Sequence, residues 1–90
     1  MPSKLLYTQK ALDDLACLDK QIASRILNKL DFFAAQDNPP LFAKKLVDYK
    51  MGSYRFRVGD YRIIFDVDRT GKIIILVILT VKHRKEVYRT

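Results

Sequence analysis

The sequence predicts an α+β domain in which two N-terminal helices pack on one face of a mostly antiparallel four-stranded sheet, in the order β-α-α-β-β-β. Three observations carry this. Between residues 9 and 36 apolar side chains recur every three or four positions, the period of an amphipathic helix. From residue 54 the period falls to two, the mark of a strand with one apolar face. At 90 residues the chain forms one domain, 1–90, so helices and strands must share a single small core.

Each element has a local reason. Lys4 to Tyr7 reads as a short extended segment, after which Thr8 or Gln9 opens a helix with Leu12, Leu15, Ala16 and Leu18 along one face. Asp19 is placed to cap a second helix, whose buried stripe is Ile22, Ile26, Leu30, Phe33 and Ala34. Asn38-Pro39-Pro40 stops that helix, because proline lacks an amide donor and disfavours helical geometry in the residue before it. A basic, partly helical-looking connector, Leu41 to Lys50, leads to Gly52-Ser53.

Tyr54, Phe56 and Val58 then alternate with Arg55 and Arg57 as one strand. Gly59-Asp60 makes a tight turn into the returning strand, Tyr61 to Val67, and Arg69-Thr70-Gly71 supplies the next turn. Ile73 to Val81 is apolar on both faces and rich in β-branched residues, the pattern of the most buried strand. Two helices cover one face of such a sheet and leave the other open. If the aromatic face carries the helices, Arg55 and Arg57 stand on the open face.

Composition excludes several classes. The apolar fraction is 49% and the charged fraction 30%, which suits a folded core and not a disordered chain. The longest apolar run, Ile73 to Leu79, falls well short of the ~20 residues of a membrane span, and the N-terminal residues lack the apolar stretch of a secretory signal. A cytoplasmic protein with no membrane partner is expected. Cys17 is the sole cysteine, which rules out an internal disulfide and a cysteine-based zinc site, and a small buried hydrophobe is its expected role.

The net charge of +7 is distributed unevenly. Residues 1–43 hold five basic and five acidic side chains, whereas residues 44–90 hold twelve and five. A one-sided positive field concentrates polyanions, which makes nucleic acid the leading partner class; a solvated basic face without a ligand is the alternative. His83 is the only histidine and has no close carboxylate set, and Ser3, Ser24 and Ser53 lie in no nucleophile context. No metal or other cofactor is expected.

What remains is a cationic set, Arg55, Arg57, Arg62, Arg84, Lys82 and Lys85, beside His83 and Tyr88. Arginine holds a phosphate or stabilises a transition-state charge but is a poor proton shuttle, so His83 and Tyr88 would move protons. Such a set suits RNA phosphodiester cleavage, in which the ribose 2′-hydroxyl is the nucleophile and the protein supplies positioning, charge and proton transfer. Physical reading alone stops at a nucleic-acid binder.

The stretch Tyr54-Arg55-Phe56-Arg57-Val58-Gly59-Asp60-Tyr61-Arg62-Ile63-Ile64-Phe65 resembles the central hairpin of the RelE/ParE superfamily of toxins from type II toxin–antitoxin modules. His83-Arg84-Lys85-Glu86-Val87-Tyr88 is similar to its C-terminal signature, and Tyr7 to Leu15 and Ala43-Lys44-Lys45-Leu46 extend the likeness over nearly the whole chain. The resemblance implies a RelE-like fold and a metal-independent endoribonuclease that cuts messenger RNA on the ribosome. It implies Arg62, Arg84, Tyr88 and His83 as catalytic residues, and Arg55, Arg57, Lys82 and Lys85 as RNA-phosphate contacts. Some relatives carry lysines at the positions of Arg55 and Arg57, and many carry glycine at that of Lys82. The resemblance further implies a cognate antitoxin, with the ribosome and mRNA as the other partners. Its ParE-like branch inhibits DNA gyrase, and that function and a non-catalytic nucleic-acid binder stay open as alternatives.

Overall fold

The computed structural model describes residues 3–36, 44–45, 54–70, 73–83 and 85. Its elements are β1 (Ser3–Tyr7), α1 (Gln9–Ala16), α2 (Lys20–Ala34), β2 (Lys44–Lys45), β3 (Tyr54–Val58), β4 (Tyr61–Thr70) and β5 (Ile73–His83). They form one sheet in the order β1-β5-β4-β3-β2. β1 runs parallel to β5 and the other pairs are antiparallel, so the sheet is mixed. The α+β order expected from the sequence is present, with one addition. Lys44 and Lys45 pair with Arg55 and Tyr54, inside the connector that reads as partly helical. Two residues are too few to show a period, but they do partner the outer edge of β3.

Both helix starts follow the sequence. The Thr8 hydroxyl accepts the Ala11 amide at 3.1 Å, and the Asp19 carboxylate accepts that of Gln21 at 3.0 Å, each satisfying a first-turn donor. On α2, Ile26 and Leu30 are buried, with Ile22, Phe33 and Ala34 packed against the same core. α2 ends at Ala34 with Ala35 as its C-cap, and the proposed stop at Asn38-Pro39-Pro40 lies outside the described residues.

The apolar stripe of α1 differs from expectation. Ala11 and Leu15 face the core, while Leu12 is 46% exposed and Ala16 is exposed. Of its apolar side chains only the i, i+4 pair is buried, and Leu18 packs from beyond the helix end at Ala16. Cys17, at the C-cap of α1, is exposed and not the buried hydrophobe expected of it. No helix is long and apolar enough to cross a membrane among the described residues.

The apolar side of β3 faces the helices, as its period requires: α2 lies on it, while α1 packs on β5. Phe33 of α2 stacks on Phe56 at 4.1 Å between ring centroids, Phe56 on Phe65 at 4.5 Å, and Tyr54 on Phe65 at 5.4 Å. This ladder of rings ties α2 to β3 and β4; each such contact contributes about 0.5–1.5 kcal/mol beyond its buried area. The β3–β4 turn places Gly59 at φ +59, left-handed geometry that favours glycine.

β4 and β5 run past their sequence-based ends. Arg69 and Thr70 are strand and not turn, and β5 continues through Lys82 and His83. β5 is also not buried on both faces: Ile74, Leu76 and Ile78 are buried while Ile73, Ile75 and Val77 are half-buried. Its pairing skips one residue at Leu79, where Ile64 opposes Thr80 and Phe65 opposes Ile78. That bulge reverses the side-chain alternation for the rest of β5.

Candidate functional site

Residues directly opposite one another in a sheet share a face, so the register assigns every cation of the hairpin. Arg57 faces Arg62, and Arg62 faces Lys82. Phe56, Ile63 and Val81, the preceding row, belong to the core under the helices. The row Arg57–Arg62–Lys82 therefore lies on the opposite face, and Arg55, two residues from Arg57, joins it. The Leu79 bulge is what brings Lys82 there. In an unbroken ladder Lys82 would share the covered face with Ile74, Leu76 and Ile78, and His83 would stand among the arginines.

Three cations placed across neighbouring strands repel, and like charges directly opposite destabilise a sheet. Among the described residues no carboxylate pairs with Arg55, Arg57, Arg62 or Lys82. Arg57 is exposed, and Arg55 and Lys82 are half-buried. Arg62 is only 5% exposed, and its Nη1 donates to the carbonyls of Gly59 at 3.1 Å and Tyr61 at 3.2 Å. One guanidinium thus carries both a fixed positive charge in the row and the closure of the hairpin turn.

His83 is not in this row. It opposes Tyr61, and its ring meets the Tyr61 ring edge-on at 5.4 Å, on the side of the sheet that carries the helices. Its Nδ1 accepts the Lys85 amide at 3.3 Å, which leaves Nε2 as the nitrogen not engaged by the backbone there. Lys85 is exposed. Arg84 and Tyr88 lie outside the described residues. Among the described residues no group of three or more His, Cys, Asp or Glu is placed to hold a metal ion.

A residue absent from the sequence-based set supports the end of β5. β1 pairs with β5 only as far as Ile78, which leaves the edge of Leu79 to Val81 without a strand partner among the described residues. The Thr8 hydroxyl donates to the Leu79 carbonyl at 2.8 Å. The Asp14 carboxylate accepts the Val81 amide at 3.1 Å and the hydroxyl of fully buried Thr80. Burial alone would raise the Asp14 pKa, but the bonds from Thr80, Val81 and Lys10 hold it below the usual value. Asp14 thereby fixes the strand that carries Lys82 and His83. The partners are 66 and 67 residues apart, a separation at which no sequence spacing signals the contact.

Cations thus stand opposed on one face of a mixed sheet backed by two helices, and none of them pairs with a carboxylate among the described residues. The profile of the family described as ParE toxin of type II toxin-antitoxin system, parDE, matches residues 5–88. The chain belongs to that family, within the RelE/ParE superfamily, and is a toxin of the type II toxin–antitoxin class. No curated protein matches the sequence.

Solved structures agree. The toxin–antitoxin complex RelBE2 from Mycobacterium tuberculosis is 29% identical, with TM-score 0.72, over 93% of this chain and 100% of that one. The archaeal RelE–RelB complex from Pyrococcus horikoshii OT3 is 28% identical, with TM-score 0.67, over 93% and 97%. E. coli RelE, a mutant in complex with a RelB peptide, shares the fold at 19% identity and TM-score 0.63, over 99% and 93%.

Proposed function

We propose that the chain is a ribosome-dependent messenger RNA endoribonuclease that arrests translation. The observation that carries this reading is the cross-strand row Arg57–Arg62–Lys82, a concentration of like charge that costs stability and is relieved when a phosphate backbone lies on it. The scissile phosphate is held there and the ribose 2′-hydroxyl attacks it. The nucleophile loses its proton to a base, the P–O5′ bond breaks, and the leaving oxygen takes a proton. Arg57, Lys82 and Arg55 hold the backbone, and Arg62, fixed by its two carbonyl contacts, presents a charge that need not reorganise as the transition state forms. Arg84 is assigned to the developing phosphate charge, Tyr88 and His83 to proton transfer, and Lys85 to a flanking phosphate.

His83 stands on the other side of β5 from the row, so proton transfer by its imidazole takes place at the rim of the sheet, with the substrate bent around the strand end. With so few acid–base groups, substrate positioning must come from the ribosome, and cutting of naked RNA is expected to be weak. A cognate antitoxin is the second partner. The relatives solved as complexes with RelB support it, and the face opposite the helices offers cations together with half-buried Ile75 and Val77 and exposed Leu6. An antitoxin segment with acidic and apolar residues would cover both.

The competing reading, inhibition of DNA gyrase, is favoured by one observation, the ParE description of the matching family profile. Primer-extension mapping of transcripts in cells expressing the chain separates the two. Cuts inside translated reading frames support the ribonuclease; intact transcripts, with loss of supercoiling by purified gyrase in the presence of the chain, reject it.

A further inference from the structure

Away from the sheet, the outer face of α2 forms a shallow groove lined by Lys20, Ser24, Arg25, Asn28, Lys29 and Phe32. All are exposed, and among the described residues no carboxylate lines the groove. The acids of this helix do not line the groove. Asp19 caps the Gln21 amide, and Asp31 lies near enough to Tyr7 of β1 to add to the rise that burial imposes on that phenol. Phe32 is 57% exposed, with the Lys29 ammonium 5.9 Å from its ring centroid. Cations, neutral donors and an open aromatic ring without acids form the combination that tracks a single-stranded nucleic acid, the ring serving as a platform for a base.

Arg25 links the groove to the β3–β4 tip, where it lines a small pocket together with Gly59, Asp60 and Tyr61. The Arg25 guanidinium lies over the hairpin tip, its atoms 3.7 to 3.8 Å from the point where a side chain on Gly59 would begin. The carbonyl of that same Gly59 accepts Arg62. Two guanidiniums, one from each layer of the fold, thus converge on one turn. We propose that the outer face of α2 is a second RNA-backbone surface, reached by a strand that leaves the row Arg57–Arg62–Lys82 and passes around the β3–β4 tip. This extends the reading of the chain as an RNA-acting toxin, from which it takes the class of polyanion.

The test measures binding of fluorescent oligouridylates to the purified chain across a salt series, with a short probe of about 5 nucleotides and a long one of about 20. Each cation withdrawn from a single strand lowers the slope of log affinity against log salt by about 0.7. Lys20→Ala with Lys29→Ala should lower the slope by about 1.4 for the long probe and leave the short probe unchanged. Phe32→Ala should weaken the long probe roughly ten-fold at constant slope. Arg57→Ala with Lys82→Ala should affect both probes.

If only the sheet variants change the slopes, the α2 surface is wrong and the ribonuclease site stands. If only the α2 variants do, the sheet site is wrong and this surface stands. Absence of RNA binding by the parent chain rejects the α2 surface and leaves the ribosome-dependent reading to the transcript mapping. Polyglutamate bound as tightly as RNA, and lost with the same α2 variants, would reassign the groove to an acidic peptide and overturn the proposal.

Discussion

The two faces of the sheet obey opposite rules. Under the helices, Phe56, Ile63, Phe65 and Val81 are at most 6% exposed and the aromatic rings stack at close range. On the other side the same strands set Arg57, Arg62 and Lys82 side by side. The first arrangement lowers the free energy of the fold; the like charges of the second oppose it, although fully buried Ile64 stands on the same face opposite Arg55. If the proposed RNA site is what maintains this face, substitutions on the two faces should separate stability from activity.

The largest expected effect lies on the covered face. Phe56→Ala removes the middle ring of the ladder between Phe33 and Phe65 and should cost about 3–5 kcal/mol, enough to abolish cooperative unfolding in a domain this small. Urea denaturation followed by circular dichroism checks this; a variant that melts like the parent would break the comparison at its foundation.

Next comes the edge of β5. Asp14→Ala leaves the Val81 amide and the buried Thr80 hydroxyl without their partner and should cost about 1–3 kcal/mol. The same contact has a pH signature. Because the folded-state pKa of Asp14 lies below its ordinary 3.8, its contribution is complete above that value and is lost as pH falls through the lower, folded-state value. Melting curves of the parent and Asp14→Asn should therefore converge on acidification. A constant gap down to strongly acid pH would remove the carboxylate from the account. Thr8→Ala, which deletes an N-cap and the bond to Leu79, should cost about 1 kcal/mol in the same assay.

The division between faces was legible in the sequence wherever a strand kept its period. Alternation of Arg55 and Arg57 with Tyr54, Phe56 and Val58 is enough to assign both sides of β3, and Asp19 and Thr8 announce their helices by side-chain chemistry alone. The Leu79 bulge was not legible, since an extra residue in an apolar run leaves the composition unchanged. Its consequence is large, because it exchanges the faces of Lys82 and His83. Leu12 against Ala11 failed for a related reason: the phase of an eight-residue helix is set by what it packs on, not by its most apolar side chains. Arg62 was legible as a cation of the site, but its carbonyl contacts at the turn were not, so Arg62→Ala alone does not separate a role in the chemistry from one in the fold.

Arg57 and Lys82 carry no such structural duty among the described residues, which makes them the sharpest probe of the central claim. The decisive measurement is a paired one on Arg57→Ala with Lys82→Ala: thermal melting of the purified protein, and growth of cells expressing it without antitoxin. The opposition of the two faces predicts stability equal to or above that of the parent, together with loss of growth arrest. A folded double variant that arrests growth as the parent does, or one that no longer folds, would contradict it.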